Sequence, residues 1–203
     1  MNVRLLFAVL AMTALISGCP STSIRSAWFD TDFAGPPFRK VMVVGDIGTT
    51  AGARTFEDDF VARLRAAGVD AIASHTVKLD DPNVTEASFV AAVAGSGAQG
   101  LLLVRLLGVD TRTQVTTMMT QGGAAWGRGP WGGSTSRSMV VVPQVRQYEL
   151  AAVETKMYDV KTRQLVWAAT TSTFKPVSLA RETPAFAELI IGQLAARGVI
   201  ERK

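Results

Sequence analysis

The chain of 203 residues has one cysteine, Cys19, and one histidine, His75. A lone thiol rules out an internal disulfide, and one imidazole is too few for a histidine-based zinc site. A Ser-His-Asp triad would need His75 as its base, yet Ser74 beside it is not framed as a nucleophile elbow. Beyond the N-terminus no apolar run approaches the roughly 20 residues of a membrane-crossing helix. The net charge of +4 and pI of about 9.6 come without any lysine or arginine run, so nucleic-acid binding is not indicated.

What is present at the N-terminus is an export signal. Arg4 makes a short basic start, residues 5–16 are apolar, and Ser17 and Gly18 are small. Leu15-Ile16-Ser17-Gly18-Cys19 resembles the lipobox of bacterial lipoproteins. That resemblance implies a signal peptide over residues 1–18 and acylation of Cys19, as in palmitate-bearing membrane anchors. Pro20 stands where an aspartate would favour inner-membrane retention, so the implied address is the outer membrane with the domain facing the periplasm. An ordinary signal peptide with a chance cysteine, or an uncleaved anchor, are the alternatives. Residues 19–39 read as a lipidated tether whose Trp28, Phe29 and Phe33 dock on the domain or lie among headgroups; the burial energy of large rings favours docking.

Residues 40–203 read as a single α/β domain. The apolar run at 41–44 suits a buried strand, and residues 55–67 a helix with Phe56, Phe60, Leu64 and Ala67 inward and Glu57, Asp58, Asp59, Arg63 and Arg65 outward. Acids early and arginines late in this helix suit its dipole. A strand at 69–74 follows, then a helix capped by Thr85 with Phe89, Val90 and Val93 inward, then a strand at 101–107. This β-α-β-α-β order implies a parallel core in a mixed sheet. Antiparallel strands come next: a half-exposed one at 109–117, an extended piece at 139–142, and a hairpin of 148–158 and 165–174 about Asp159-Val160-Lys161-Thr162. A C-terminal helix opening at Thr183-Pro184 turns Phe186, Leu189, Ile190 and Leu194 inward.

Five features resemble a broad group of small bacterial lipoproteins: the lipobox at Cys19, the strand at 41–44, Arg54 with Glu57, Met157-Tyr158-Asp159 with Thr162, and Leu165-Val166-Trp167. The architecture is similar to the α/β domain of the curli-secretion-channel lipoprotein, the activators of penicillin-binding proteins and the N-terminal domain of the Tol translocation protein. The resemblance spans about residues 40–198 and implies fold and compartment more than activity. Two membrane hairpins per subunit serve the curli channel, whereas this chain has one candidate, so a channel role does not follow from the resemblance.

Other motifs carry little chemistry. Gly95-Ser96-Gly97-Ala98-Gln99-Gly100 has the letters of a dinucleotide fingerprint, but it lies after a helix and before a strand, so it reads as a helix stop. Residues 45–52 join strand to helix without the Gly-Lys-Ser/Thr of a phosphate loop, and the acids at 57–59 oppose an anion. Asp46, Asp58, Asp59, Asp80 and Asp81 fall at helix starts and turns, where acids serve local ends. Within the Gly/Trp-rich excursion at 108–147, Trp126 and Trp131 are the candidates for partner or membrane contact. Residues 109–117 offer mainly threonine on one face, with Asp110 and Arg112 on the other, so membrane spanning is not expected of them.

These readings favour a non-catalytic, lipid-anchored periplasmic binding or adaptor module without cofactor or metal. Its expected partners are the membrane, through the lipid, and an envelope protein or polymer. A subunit of an oligomeric export or transport assembly is the alternative, and a cryptic envelope hydrolase the second. Cys19→Ser should leave an unprocessed, unlipidated precursor, read out by intact mass and membrane fractionation. Processing and fractionation like wild type would overturn the anchor.

Overall fold

The computed structural model describes residues 22–77, 85–121, 139–174 and 179–202. Six strands form one mixed sheet in the order β1-β6-β5-β4-β2-β3. They are β1 (Thr22–Phe29), β2 (Lys40–Asp46), β3 (Asp70–Ala73), β4 (Gly100–Gln121), β5 (Met139–Asp159) and β6 (Leu165–Phe174). Strand β2 runs parallel to β3 and β4, and all pairs from β4 to β1 are antiparallel. The helices are α1 (Thr50–Ala66), α2 (Glu86–Gly95) and α3 (Leu179–Ala196), with a 3-10 turn at Ser74–Val77. The mixed α/β class expected from the residues is the class observed.

One face of the sheet carries the larger core. Val41 and Val43 of β2, Leu102 and Val104 of β4, Met157 of β5 and Trp167 and Ala169 of β6 pack beneath α1 and α3. Phe56 and Phe60 of α1 meet Phe186 of α3, with ring centroids 5.6–6.1 Å apart in tilted and edge-on pairs. The opposite face carries a smaller cluster, Met42 with Val93 and Ala98, to which Phe89 and Leu101 add partly buried surface. Period-two alternation thus divides β2 between two cores, which is why its run reads as continuously apolar.

Several boundaries differ from the sequence reading for identifiable reasons. Helix α1 begins at Thr50 because Thr49 accepts the Gly52 N–H at 3.2 Å as N-cap, so its first turn contains no acid. Gly68, at φ 87°, stops it. Helix α3 starts at Leu179 and keeps Pro184 inside rather than at its first position. Ile191 is fully buried, while Leu189 is only partly so. The pieces expected at 101–107 and 109–117 are one strand, interrupted by a bulge at Leu107 between Leu106 and Gly108. The pieces at 139–142 and 148–158 are likewise one strand, β5.

The largest difference is β1, which lies within the expected tether. It pairs with β6 from Thr22↔Thr173 to Phe29↔Trp167 and forms one edge of the sheet. Phe29 and Phe33 pack on the core as the docking reading expects, but Trp28, on the alternate face, is 51% exposed. Phe60 is the most telling core position, with no exposed surface. Phe60→Ala should lower stability by about 3–5 kcal/mol in a denaturant melt of the folded domain; an unchanged midpoint would contradict this packing.

Candidate functional site

Two features stand out once the chain is folded, and the first is a buried carboxylate. Glu57 lies one turn before Val61 and two before Leu64, on the buried stripe of α1 and not on the outer face expected for it. Its side chain is 3% exposed. Oε1 accepts the Gly45 N–H at 2.8 Å and the Ser74 hydroxyl at 2.6 Å. Oε2 accepts the His75 N–H at 3.1 Å and lies 2.9 Å from His75 Nδ1. Four partners on one group are what makes its burial tolerable. Gly45 suits the close approach, since a Cβ there would stand 3.1 Å from the Phe56 ring, which would have to give by a few tenths of an ångström, and 3.5 Å from Glu57 Cγ.

This cluster ties the ends of β2 and β3 to α1. His75 Nε2 is 3.4 Å from Asp58 Oδ1, so the imidazole bridges a buried and an exposed carboxylate. The Ser74 hydroxyl donates to Glu57 and is itself buried, so it is directed at the acid and not at the imidazole. Serine, histidine and acid therefore do not line up as a nucleophilic relay. No metal-holding group of His, Cys, Asp and Glu occurs among the described residues. His75 sits on the 3-10 turn as a structural clamp.

The second feature is a groove of about 870 Å³ on the face of the sheet opposite α1 and α3. Phe89, Val90 and Val93 of α2 form one wall, and Leu101, Leu103 and Tyr158 of the sheet form its floor. Phe33 and Phe38 close one end, and Val160, Lys161 and Arg163 of the β5–β6 turn close another. That turn is built locally. Asp159 Oδ1 accepts the N–H groups of Lys161 at 2.7 Å and Thr162 at 3.2 Å, and Arg163 takes a left-handed φ of 60°. The Val160 N–H donates to the Gln99 carbonyl at 2.9 Å and holds the turn against the start of β4.

Towards β4's far end the same sheet face becomes polar. Arg105 pairs with Asp46 and Lys156 with Glu154, each at 2.8 Å. The hydrogen bond to Glu154 raises the Lys156 ammonium above its ordinary pKa. The groove is thus an apolar patch with charged margins. No motif announces it, because its lining comes from segments far apart in the chain.

Cys19, Trp126 and Trp131 lie outside the described residues. The segment at 95–100 acts as the helix stop expected of it: Gly97 takes φ 71° and Ser96 Oγ accepts the Ala98 N–H at 3.1 Å. In the loop before α1, the N-cap hydroxyl of Thr49 and the Glu57 carboxylate already use two of the N–H groups open to an anion.

No protein-family model and no curated protein matches the chain. Among solved structures it is similar to the PelC dodecamer from Paraburkholderia phytofirmans, at 14% identity and TM-score 0.44, over 87% of this chain and 99% of that one. A point variant of the same dodecamer gives 15% identity and TM-score 0.43, over 88% and 99%. Lipoprotein GNA1162 from Neisseria meningitidis gives 11% identity and TM-score 0.42, over 77% and 98%.

Removing the Glu57 carboxylate strands the Gly45 and His75 N–H groups and the Ser74 hydroxyl. Glu57→Ala should cost at least about 1–3 kcal/mol, the scale of one buried group left unpaired. His75→Ala should cost less, because His75 is only partly buried and its loss leaves Glu57 with three donors. Denaturant melts of the two variants check this order, and the reverse order would contradict the clamp.

Proposed function

We propose that the chain is a lipid-anchored, non-catalytic module of the bacterial envelope that binds an envelope protein or polymer in the groove between α2 and the sheet. The carrying observation is the groove's composition. Its floor and walls are aliphatic and aromatic, while its charged groups sit at the margins or are tied up in local hydrogen bonds. Such a lining favours binding by burial over bond-making chemistry, which needs converging polar groups.

The placement of β1 supports the same reading. Strand β1 begins three residues after Cys19 and runs eight residues to Phe29, which packs against Phe33 near the groove. At about 3.3 Å per residue that is roughly 25 Å, so an acylated Cys19 holds the opposite end of the sheet at the outer membrane and turns the groove towards the periplasm.

Crosslinking in cells tests this. A photoreactive residue in place of Phe89 should capture a defined envelope component, and one at Arg63 on the α1 face should not. Leu103→Arg, at a half-buried floor position, should reduce capture at least tenfold and leave the protein folded by circular dichroism. Equal capture from both sites, or capture indifferent to Leu103→Arg in a folded protein, would overturn the groove as the binding surface.

A further inference from the structure

We propose that the groove beneath α2 takes the hydrocarbon chain of a single-chain carboxylate amphiphile, the chemistry of a fatty acid, and that this occupant competes there with the envelope partner. The competition, though not the fatty-acid site, rests on the groove being the partner's surface. Helix α2 is lightly seated on the sheet. After Glu86 it carries no charged residue, yet of its ten residues only Val93 is buried. Phe89 and Val90 above the groove and Leu101 and Leu103 below it are each half-buried. Apolar surface on two facing walls is thus left for a narrow apolar occupant to cover.

Volume sets the number of chains. A methylene is close in size to a water molecule, whose share of liquid volume is about 30 Å³, so a chain of about 16 carbons needs roughly 480 Å³. One such chain fits the groove of about 870 Å³, and two do not.

Charge sets the head group. Lys161 and Arg163 are the cations in the lining, both exposed on the β5–β6 turn. Neither side chain has an ion-pair partner among the described residues. Asp159 is the one acid in the lining, and its Oδ1 is committed to the Lys161 and Thr162 N–H groups. An ammonium and a guanidinium with no acid engaged suit a carboxylate. Further along the same face Lys156 and Arg105 are already paired with Glu154 and Asp46, each at 2.8 Å. They offer no open cation to a head group, which leaves the turn as its place. From there the hydrocarbon runs over Leu101 and Leu103, same-face neighbours about 7 Å apart beneath α2.

The test uses the full chain, purified from membranes into phosphatidylcholine nanodiscs and exposed to palmitic acid carrying a photoreactive diazirine on its chain. Mass spectrometry then maps the labelled peptides. Label should fall on residues 89–93 and 101–103 at least about tenfold above α1, and excess palmitate should remove it while methyl palmitate should not. The double substitution Lys161→Gln with Arg163→Gln should lower groove labelling at least about tenfold. Both side chains are exposed, so circular dichroism should be unchanged. Even labelling of α1 and groove, indifference to the double substitution, or displacement by methyl palmitate or lysophosphatidylglycerol as strong as by palmitate would each overturn the fatty-acid site. In cells, added palmitate should weaken partner capture from a photoreactive residue at position 89. Groove labelling with no partner captured there would overturn the competition alone, and partner capture without groove labelling would overturn the fatty-acid site alone.

Discussion

The pairing of β4 with its two neighbours is the constraint on which the rest depends. On one side β4 runs parallel to β2 over six residue pairs, and on the other antiparallel to β5 along its whole length. A parallel neighbour requires a helical crossover, which places helices over the sheet. The antiparallel neighbour needs none, which leaves β4 and β5 free to run on beyond the domain. Gly100 at the start of β4 is where the two halves meet most tightly. A Cβ there would lie 2.7 Å from the Phe38 ring and 3.1 Å from Met157 Sδ, so only glycine lets the strand enter between them.

The buried Glu57 is a second level of specification. Aromatic packing of Phe56, Phe60 and Phe186 holds α1 to α3, but such contacts tolerate sliding. A carboxylate engaged by Gly45, Ser74 and His75 does not, because each bond has a direction. Arg65 adds to this from the end of α1, its Nε and one terminal nitrogen donating to the Ala71 carbonyl at 3.0 and 2.7 Å. Helix α1 is thus registered against β2 and β3 at its middle and at its C-terminal end.

The two ends of the sheet differ in kind. At the end where β2 and β4 begin, apolar side chains from both sides of α2 line a groove with charged margins. At the other, β4 and β5 continue past β2 and β6 as a two-stranded ribbon, pairing among the described residues with each other alone. Strand β1 connects these ends, starting beside the ribbon's root and finishing near the groove.

The residues by themselves determined the alternation of strands and helices, the hairpin at Asp159 and the stops at Gly68 and Gly97. All of these are local: a period of hydrophobicity, a capping hydroxyl or a left-handed glycine acts within a few positions. Only the tertiary structure decided that residues 22–29 join the sheet, because an edge strand with one half-covered face has too weak a pattern to announce itself before β6 is there to pair with it. It also decided that Glu57 is buried while Asp58 beside it is exposed, since burial depended on donors 12 and 17 residues away in sequence. The groove and the free length of the ribbon were set in the same way. The first collects residues 89, 101 and 158, and the second depends on where β2 and β6 end, neither of which is written in any one stretch of chain.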